Sequence, residues 1–270
     1  MLTPSVSFLI AARNAETTIR RAAESALSQD YDGVVHVVVV DDASADRTLY
    51  VASSLDGVEV IRNERRLGRS GSRNRGLEAI TTDFVAIQDA DDYSLPHRLQ
   101  ETIPLALDGK SVVGTQLVWK DKRKGVYSGA RWPDNFADTE ALLSTFRTPV
   151  AHPSMLLPTE LLKSVGGYDQ TFPVAEDLDL MLRLRQTHSD LKFTNSRTQS
   201  VVYERARLDS AAYVMHANYW RSRVEERHTG GNQIRGSWMI DGSKQYVRQR
   251  LRYARDLALR RIVIGDDHHG

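Results

Sequence analysis

Along the first ninety residues the hydrophobic positions switch between two periods. Mostly apolar runs at Val6–Ile10, Val34–Val40 and Phe84–Ile87 read as strands, as does the shorter Val58–Ile61. Runs that do not alternate belong to strands covered on both faces, as in parallel sheets. Between the first two, Ile19, Ala22, Ala23, Ala26 and Leu27 recur at three- and four-residue spacing, which predicts a helix from about Ala15 to Ser28. Further helices are predicted near Arg47–Leu55 and Ser70–Ile80. Strand–helix alternation with short connections argues an α/β fold, a mainly parallel sheet with helices on both faces.

The middle is less regular. Val112–Trp119 and Ser154–Leu157 read as strands, Lys120–Gly125 as a charged turn, and Thr139–Phe146 as a short helix. A helix over Thr159–Val165 stops at Gly166-Gly167, and another runs from Glu176 to about Thr187. After Tyr203 the pattern becomes helical and rich in arginine. Two domains are expected: residues 1–204, with halves at about 1–118 and 119–204, and a basic helical extension over 205–270.

Composition narrows the picture. The 270 residues include no cysteine, which excludes a disulfide framework, thiolate metal sites and a thiol nucleophile. The start has no basic n-region and its apolar run stops at Arg13, so an export signal is not expected; no run reaches membrane-spanning length. The expected place is the cytoplasm. The net charge of +1 is a cancellation. From Arg205 to Ile264 there are 13 Lys/Arg against 5 Asp/Glu, whereas residues 1–204 carry 23 against 28. An acidic front and a basic rear suggest two units with different jobs.

Ligands of open α/β sheets bind beyond the carboxyl ends of the strands. There the sequence places Asp41-Asp42 after one valine strand and Gln88-Asp89-Ala90-Asp91-Asp92 after another. Five carboxylates at two buried strand ends repel one another unless a cation or a hydrogen-bonding ligand offsets the charge. Asp-x-Asp on extended chain puts alternate carboxylates on one side, spaced for Mg²⁺ or Mn²⁺; the bland alternative is capping of the next helix. A second cluster holds Arg62, Arg65, Arg66, Arg69, Arg73 and Arg75 among Gly68, Gly71 and Gly76, suited to phosphate contact or simply a solvated helix end. No dinucleotide fingerprint or P-loop is present. Glu176-Asp177-Leu178-Asp179 opens a helix, where acids commonly just complement the dipole.

Taken in order, these segments resemble the family-2 glycosyltransferases, inverting enzymes with a GT-A fold. The resemblance covers roughly residues 4–185. It rests on Ala11-Ala12-Arg13-Asn14 after the first strand, Val38 to Thr48 with Asp41-Asp42, and Gly68 to Leu77 with Arg73-Asn74-Arg75-Gly76. It continues through Gln88 to Asp92 with Pro96-His97-Arg98-Leu99, then His152-Pro153-Ser154, Gly166-Gly167-Tyr168-Asp169 and Ala175 to Leu180. It implies a nucleotide site at Ala11, Arg13, Asp41, Asp42, Arg73 and Asp89. It also implies a divalent cation, Mn²⁺ or Mg²⁺, on Asp89 and Asp91, with Asp92 a further candidate ligand. Asp177 would be the general base, and His152 and Glu176 would lie on the acceptor side. The first loop departs from the family in carrying Ala11-Ala12 where relatives often have Thr, Tyr or Ser. The implied donor is a nucleotide sugar, with UDP the family expectation, and the implied acceptor a saccharide or lipid-linked glycan.

Two rivals share parts of this pattern: a sugar-phosphate nucleotidyltransferase and a non-catalytic nucleotide-sugar binding module. Neither accounts for an intact acidic motif together with the Glu176-Asp177 helix opening. In the rear, Val247, Leu251, Ala254, Leu257, Ala258 and Ile262 fall near one helical face among seven basic residues. Such a helix packs on a protein surface, here the catalytic domain or a second copy in a homodimer, or lies on the inner face of an anionic membrane; nucleic acid is not the expected partner. Tyr213, Tyr219, Trp220 and Trp238 are candidates for a sugar-stacking wall or for core.

Overall fold

The computed structural model describes residues 3–121, 125–128, 131–204 and 211–230. Two compact units divide the chain, residues 1–206 and 207–270. In the first, the strands are β1 (Val6–Ala12), β2 (Val35–Asp41), β3 (Val58–Arg62), β4 (Phe84–Asp89), β5 (Tyr93–Ser94), β6 (Ser111–Asp121), β7 (Gly125–Ser128), β8 (Leu156–Pro158) and β9 (Lys192–Glu204). The helices are α1 (Ile19–Leu27), α2 (Thr48–Ser53), α3 (Gly68–Ala79), α4 (Arg98–Ala106), α5 (Phe136–Ser144), α6 (Thr159–Ser164) and α7 (Glu176–Thr187).

One sheet runs in the order β3-β2-β1-β4-β8-β6-β9-β5, with β7 on β6. Pairing is parallel among β3, β2, β1 and β4, and again between β6 and β9; β8 is antiparallel to both its neighbours. The expected parallel α/β half is therefore present, and a mixed half is built onto it. In the parallel half Ala11 stands beside Val40 and Asp89, and Ala12 beside Asp41. The carboxyl ends of three strands thus finish level, which gathers their acidic loops.

Several predicted boundaries move. The first helix starts at Ile19 rather than Ala15. Asn14 has φ 50°, and the Ala15 amide donates to Thr48 Oγ1 at 2.7 Å, so the chain turns before it coils. Ala22, Ala23 and Ala26 then face the core without side-chain bulk, and the Ala22 carbonyl accepts from Gln88 Nε2 at 2.7 Å. The expected turn at Lys120–Gly125 is partly strand, since β6 extends to Asp121 and β7 begins at Gly125; residues 122–124 lie outside the described residues.

β9 was not legible from periodicity. Its thirteen residues include buried Asn195, Ser196 and Ser200, so no apolar run announces it. Asn195 Nδ2 donates to the carbonyls of Pro133 and Pro149, which is what makes its burial affordable.

In the second unit α8 spans Ala211–Thr229. On it Tyr219 and Trp220 meet edge to face at 5.4 Å, and Trp220 Nε1 donates to His216 Nε2 at 2.9 Å. Among the described residues no helix is long and apolar enough to cross a membrane. The amphipathic segment from Lys244 to Ile264, the Tyr213 side chain and Trp238 lie outside the described residues.

Candidate active site

Each acidic loop at the sheet's carboxyl edge is held by a different device. After β2, Asp42 is buried and accepts from the amides of Leu67 at 2.7 Å and Gly68 at 3.0 Å and from Asn63 Nδ2 at 3.1 Å. Burial alone would raise its pKa, but these donors, led by the Leu67 amide, outweigh it and hold the carboxyl below its usual value. Its carboxylate thus anchors the segment that opens α3. Asp41, equally buried, accepts from the Ser44 amide, and its Oδ1 has no partner among the described residues. Across the loop, the Asn14 amide donates to Ser44 Oγ and Asn14 Oδ1 accepts from the Ala45 amide, bracing the turns after β1 and β2. Ala11 is half-buried at the end of β1, and Arg13 is exposed beyond it.

After β4, one carboxylate oxygen from each of Asp89, Asp91 and Asp92 lies within 4.8 Å of the others. Asp89 is half-buried, Asp91 exposed and Asp92 fully buried. Partial desolvation, then the charge of Asp89, pushes Asp91 above its usual pKa. Burial and the charges of Asp89 and Asp91 push Asp92 up strongly. Asp92 Oδ1 accepts from the Glu204 amide at 2.9 Å, while Oδ2 is buried with no partner among the described residues. Three hard oxygen donors, mutual repulsion and an orphaned buried carboxylate oxygen suit a divalent cation of the Mg²⁺ or Mn²⁺ type.

The loop is fixed from outside as well. Glu204 accepts from Arg21 at 2.7 Å and Lys120 at 2.9 Å, and both cations lie over the Tyr93 ring. Behind it Arg98, fully buried, donates to the Ile87 carbonyl at 2.9 Å and to Ser94 Oγ at 3.0 Å.

Arg73 joins the acidic cluster to the other half of the site. It is fully buried, donating to Asp89 Oδ1 at 2.8 Å and to Glu176 Oε1 at 3.0 Å. Burial disfavours its charge, but Asp89, Tyr168 and Glu176 hold it protonated above the usual arginine value. The next residue, Asn74, grips the backbone of Tyr168 in both directions, at 2.8 and 2.7 Å. Tyr168 lies under the Arg73 guanidinium, 5.4 Å from ring centre, and its hydroxyl is 2.9 Å from His152 Nε2. Burial, then the charges of Arg73 and Arg69, keeps His152 neutral, well below the ordinary histidine pKa.

At the start of α7, Ala175 adopts a left-handed conformation, φ 62°, that turns the chain into the helix. Glu176 is buried between Arg73 and Arg69. Asp177 is half-buried and accepts from the Leu178 amide at 2.9 Å. Desolvation and the charge of Glu176 raise its pKa to about 6. A carboxyl poised there is deprotonated at neutral pH yet basic enough to take a proton in a reaction.

The sequence-derived candidates Arg73, Asp89, Asp91, Asp92, Glu176, Asp177 and His152 therefore come together around one bridge. Ala11 and Asp41 stand at the carboxyl ends of the neighbouring β1 and β2, and Arg13 and Asp42 just beyond them. Sequence reasoning missed Tyr168 as a side chain, along with Asn63, Asn74, Arg98, Arg21, Lys120 and Glu204. Tyr168 sits in a segment the resemblance had flagged; Glu204 carries no local signal at all, since its partner Asp92 is 112 residues away.

An α/β sheet ending in a carboxylate cluster, tied to a second carboxylate on a helix, defines an enzyme-like centre of GT-A type. Comparison with known proteins gives the family. Residues 7–164 match the sequence profile of glycosyl transferase family 2. EpsE of Bacillus subtilis (strain 168), provisionally named a glycosyltransferase, is 30% identical over 219 residues, 78% of this chain and 75% of its own. Succinoglycan biosynthesis protein ExoU of Rhizobium meliloti (strain 1021) is 26% identical over 269 residues, 93% of this chain and 75% of its own. In fold, the mannosyltransferase PcManGT from Pyrobaculum calidifontis, solved with GDP-Man and Mn²⁺, superposes with a TM-score of 0.66 at 18% identity, covering 87% of this chain and 67% of its own. S. aureus TarS 1-349 with UDP-GlcNAc gives 0.62 at 17% identity, covering 90% and 81%. The chain belongs to glycosyltransferase family 2.

Proposed function

We propose that this chain is an inverting, cation-assisted glycosyltransferase. It would move a sugar from a nucleoside-diphosphate donor, a UDP-sugar as the first choice, to a hydroxyl of a saccharide or lipid-linked glycan. The observation that carries the reading is the Arg73 bridge, which brings the acidic cluster after β4 and the Asp177 end of α7 into one site. Both fold relatives named above were solved with nucleotide sugars, one of them together with Mn²⁺.

In this reading the β1 and β2 loops, with Ala11, Arg13, Asp41 and Asp42, receive the nucleotide. Asp89, Asp91 and Asp92 would hold the cation, which would supply Lewis-acid neutralisation of negative charge on the leaving group. Asp177 takes the proton of the acceptor hydroxyl as that oxygen bonds to the anomeric carbon and the diphosphate leaves. General-base help of this kind contributes roughly 10²–10⁴-fold. His152, held neutral beside Tyr168, would serve the acceptor side as a hydrogen-bonding group rather than a charge; its burial and the Tyr168 contact support that role.

The test is incubation with a panel of nucleotide sugars and Mn²⁺, measuring free nucleoside diphosphate. Release from one donor class is expected, with Asp177→Asn retaining the donor's thermal shift but losing release by at least about 100-fold. Near-normal turnover in Asp177→Asn overturns the base assignment. Pyrophosphate formed from a sugar phosphate and a nucleoside triphosphate would instead make the chain a nucleotidyltransferase.

A further inference from the structure

Arg73 has the environment of a shared counter-ion. Its side chain is 2% exposed and its two terminal nitrogens go to carboxylates on different elements, Asp89 at the end of β4 and Glu176 at the start of α7. Glu176 is itself 6% exposed, and its Oε1 accepts from Arg73 while lying 3.5 Å from Arg69 Nε. Arg69 is more than half exposed, so water screens it; the buried guanidinium dominates the field at Glu176. Neither Glu176 nor Arg73 belongs to the acidic cluster, yet each governs how much negative charge Asp89 has left to give.

We propose that Arg73 and Glu176 are positioning residues forming an electrostatic link between cation occupancy at Asp89 and the base-bearing end of α7. The inference rests on the cation-assisted reading above. Its logic is a competition: Arg73 and a cation both draw on Asp89, and Glu176 decides how strongly Arg73 competes. With Glu176 charged, it offsets part of the guanidinium's field, so Asp89, though bonded to Arg73, keeps more negative charge to offer a cation. When a cation takes Asp89, Arg73 is left to Glu176 and draws the first turn of α7 inward beside it. Linkage makes the effect reciprocal, so the state of α7 is felt in cation affinity.

Coulomb's law fixes opposite signs for the two residues, which a merely structural role would not. In calorimetric titration of the full chain with Mn²⁺ alone, Glu176→Gln should weaken binding roughly fivefold or more, the lower end of ordinary coupling. Arg73→Gln should tighten it, and Arg73→Lys, which keeps the charge, should stay within about twofold of wild type. Arg73→Lys should nonetheless lower kcat at least about tenfold with donor KM nearly unchanged, because one ammonium does not reproduce the two-pronged bridge. If Arg73→Gln does not fold, Glu176→Gln and Arg73→Lys carry the test. Unchanged Mn²⁺ affinity in a folded Glu176→Gln, or weakening by both Glu176→Gln and Arg73→Gln, overturns the link. A wild-type chain that releases nucleoside diphosphate without binding Mn²⁺ removes the cation from the proposed function and, with it, this link; an intact Mn²⁺ response with unaltered kcat in Arg73→Lys overturns only the positioning of α7.

Discussion

At the residue scale, the charge of Asp177 is set by its neighbours. Desolvation and Glu176 raise its pKa to about 6, against the pull of the Leu178 amide, Arg73 and Arg69. A base works deprotonated, so turnover should rise with pH through about 6 and then level off. Removing the like charge beside it lowers the pKa. The acidic limb of the pH–rate profile should therefore move to lower pH in Glu176→Gln, whatever that variant does to the plateau. A limb that stays in place, or moves upward, would show that another group titrates. The same scale shows how Asp42 is held: two backbone amides and Asn63 donate to its carboxylate and fix the loop that opens α3.

At the element scale, α3 does two jobs. Its first turns bear Arg69, Arg73 and Asn74, which hold the segment from Tyr168 to Glu176, while its middle lies against β1 and β2. Gly76 makes that approach possible: a Cβ there would stand 2.3 Å from Leu9 Cδ1 and 2.9 Å from Val40 Cγ2. Both neighbours are fully buried, so neither can swing away. Gly76→Ala should cost about 1–3 kcal/mol by overpacking, despite the better helix propensity of alanine. Denaturant melts would read this as a lower midpoint at constant slope, and an unchanged midpoint would contradict the packing. Gly167 lies on the opposite side of the same helix, at φ 69°, and a Cβ there would meet Asn74 Oδ1 at 2.4 Å. The Arg-Asn-x-Gly stretch was legible as a nucleotide-type motif. That its arginine faces inward to two carboxylates, and its asparagine grips a loop 94 residues away, was not.

At the scale of the whole molecule, the acidic cluster concentrates like charge at one buried strand end. Asp92 is held well above its usual pKa by burial and by Asp89 and Asp91, so without a cation its charged form weakens the fold. For a group whose folded pKa is raised, the stabilising contribution is complete below the unfolded value and is lost as pH rises through the folded one. A cation held there, as proposed, would reverse that loss. Excess Mn²⁺ at neutral pH should raise the melting temperature, by about 2.7 kcal/mol of stabilisation at a hundredfold excess over Kd. The shift should vanish when Asp89, Asp91 and Asp92 are all changed to Asn. An equal shift in that triple variant would place the ion elsewhere. Charge asymmetry along the chain was readable by counting.

By itself the sequence determined the α/β half, because buried parallel strands and amphipathic helices impose local periods that composition cannot disguise. It also determined the identity and order of the carboxylates at the strand ends, since those follow directly from the ends of the runs. Only the tertiary structure decided which of them meet. β9 is polar along much of its length and is a strand because partners far away satisfy its buried groups. The Glu204 amide reaches Asp92, and Arg73 reaches Asp89 and Glu176 across 16 and 103 residues. Local periodicity reports the environment of a residue's own element, and electrostatics depends on distance in space, so the bridge at the centre of this site could emerge only once the chain was folded.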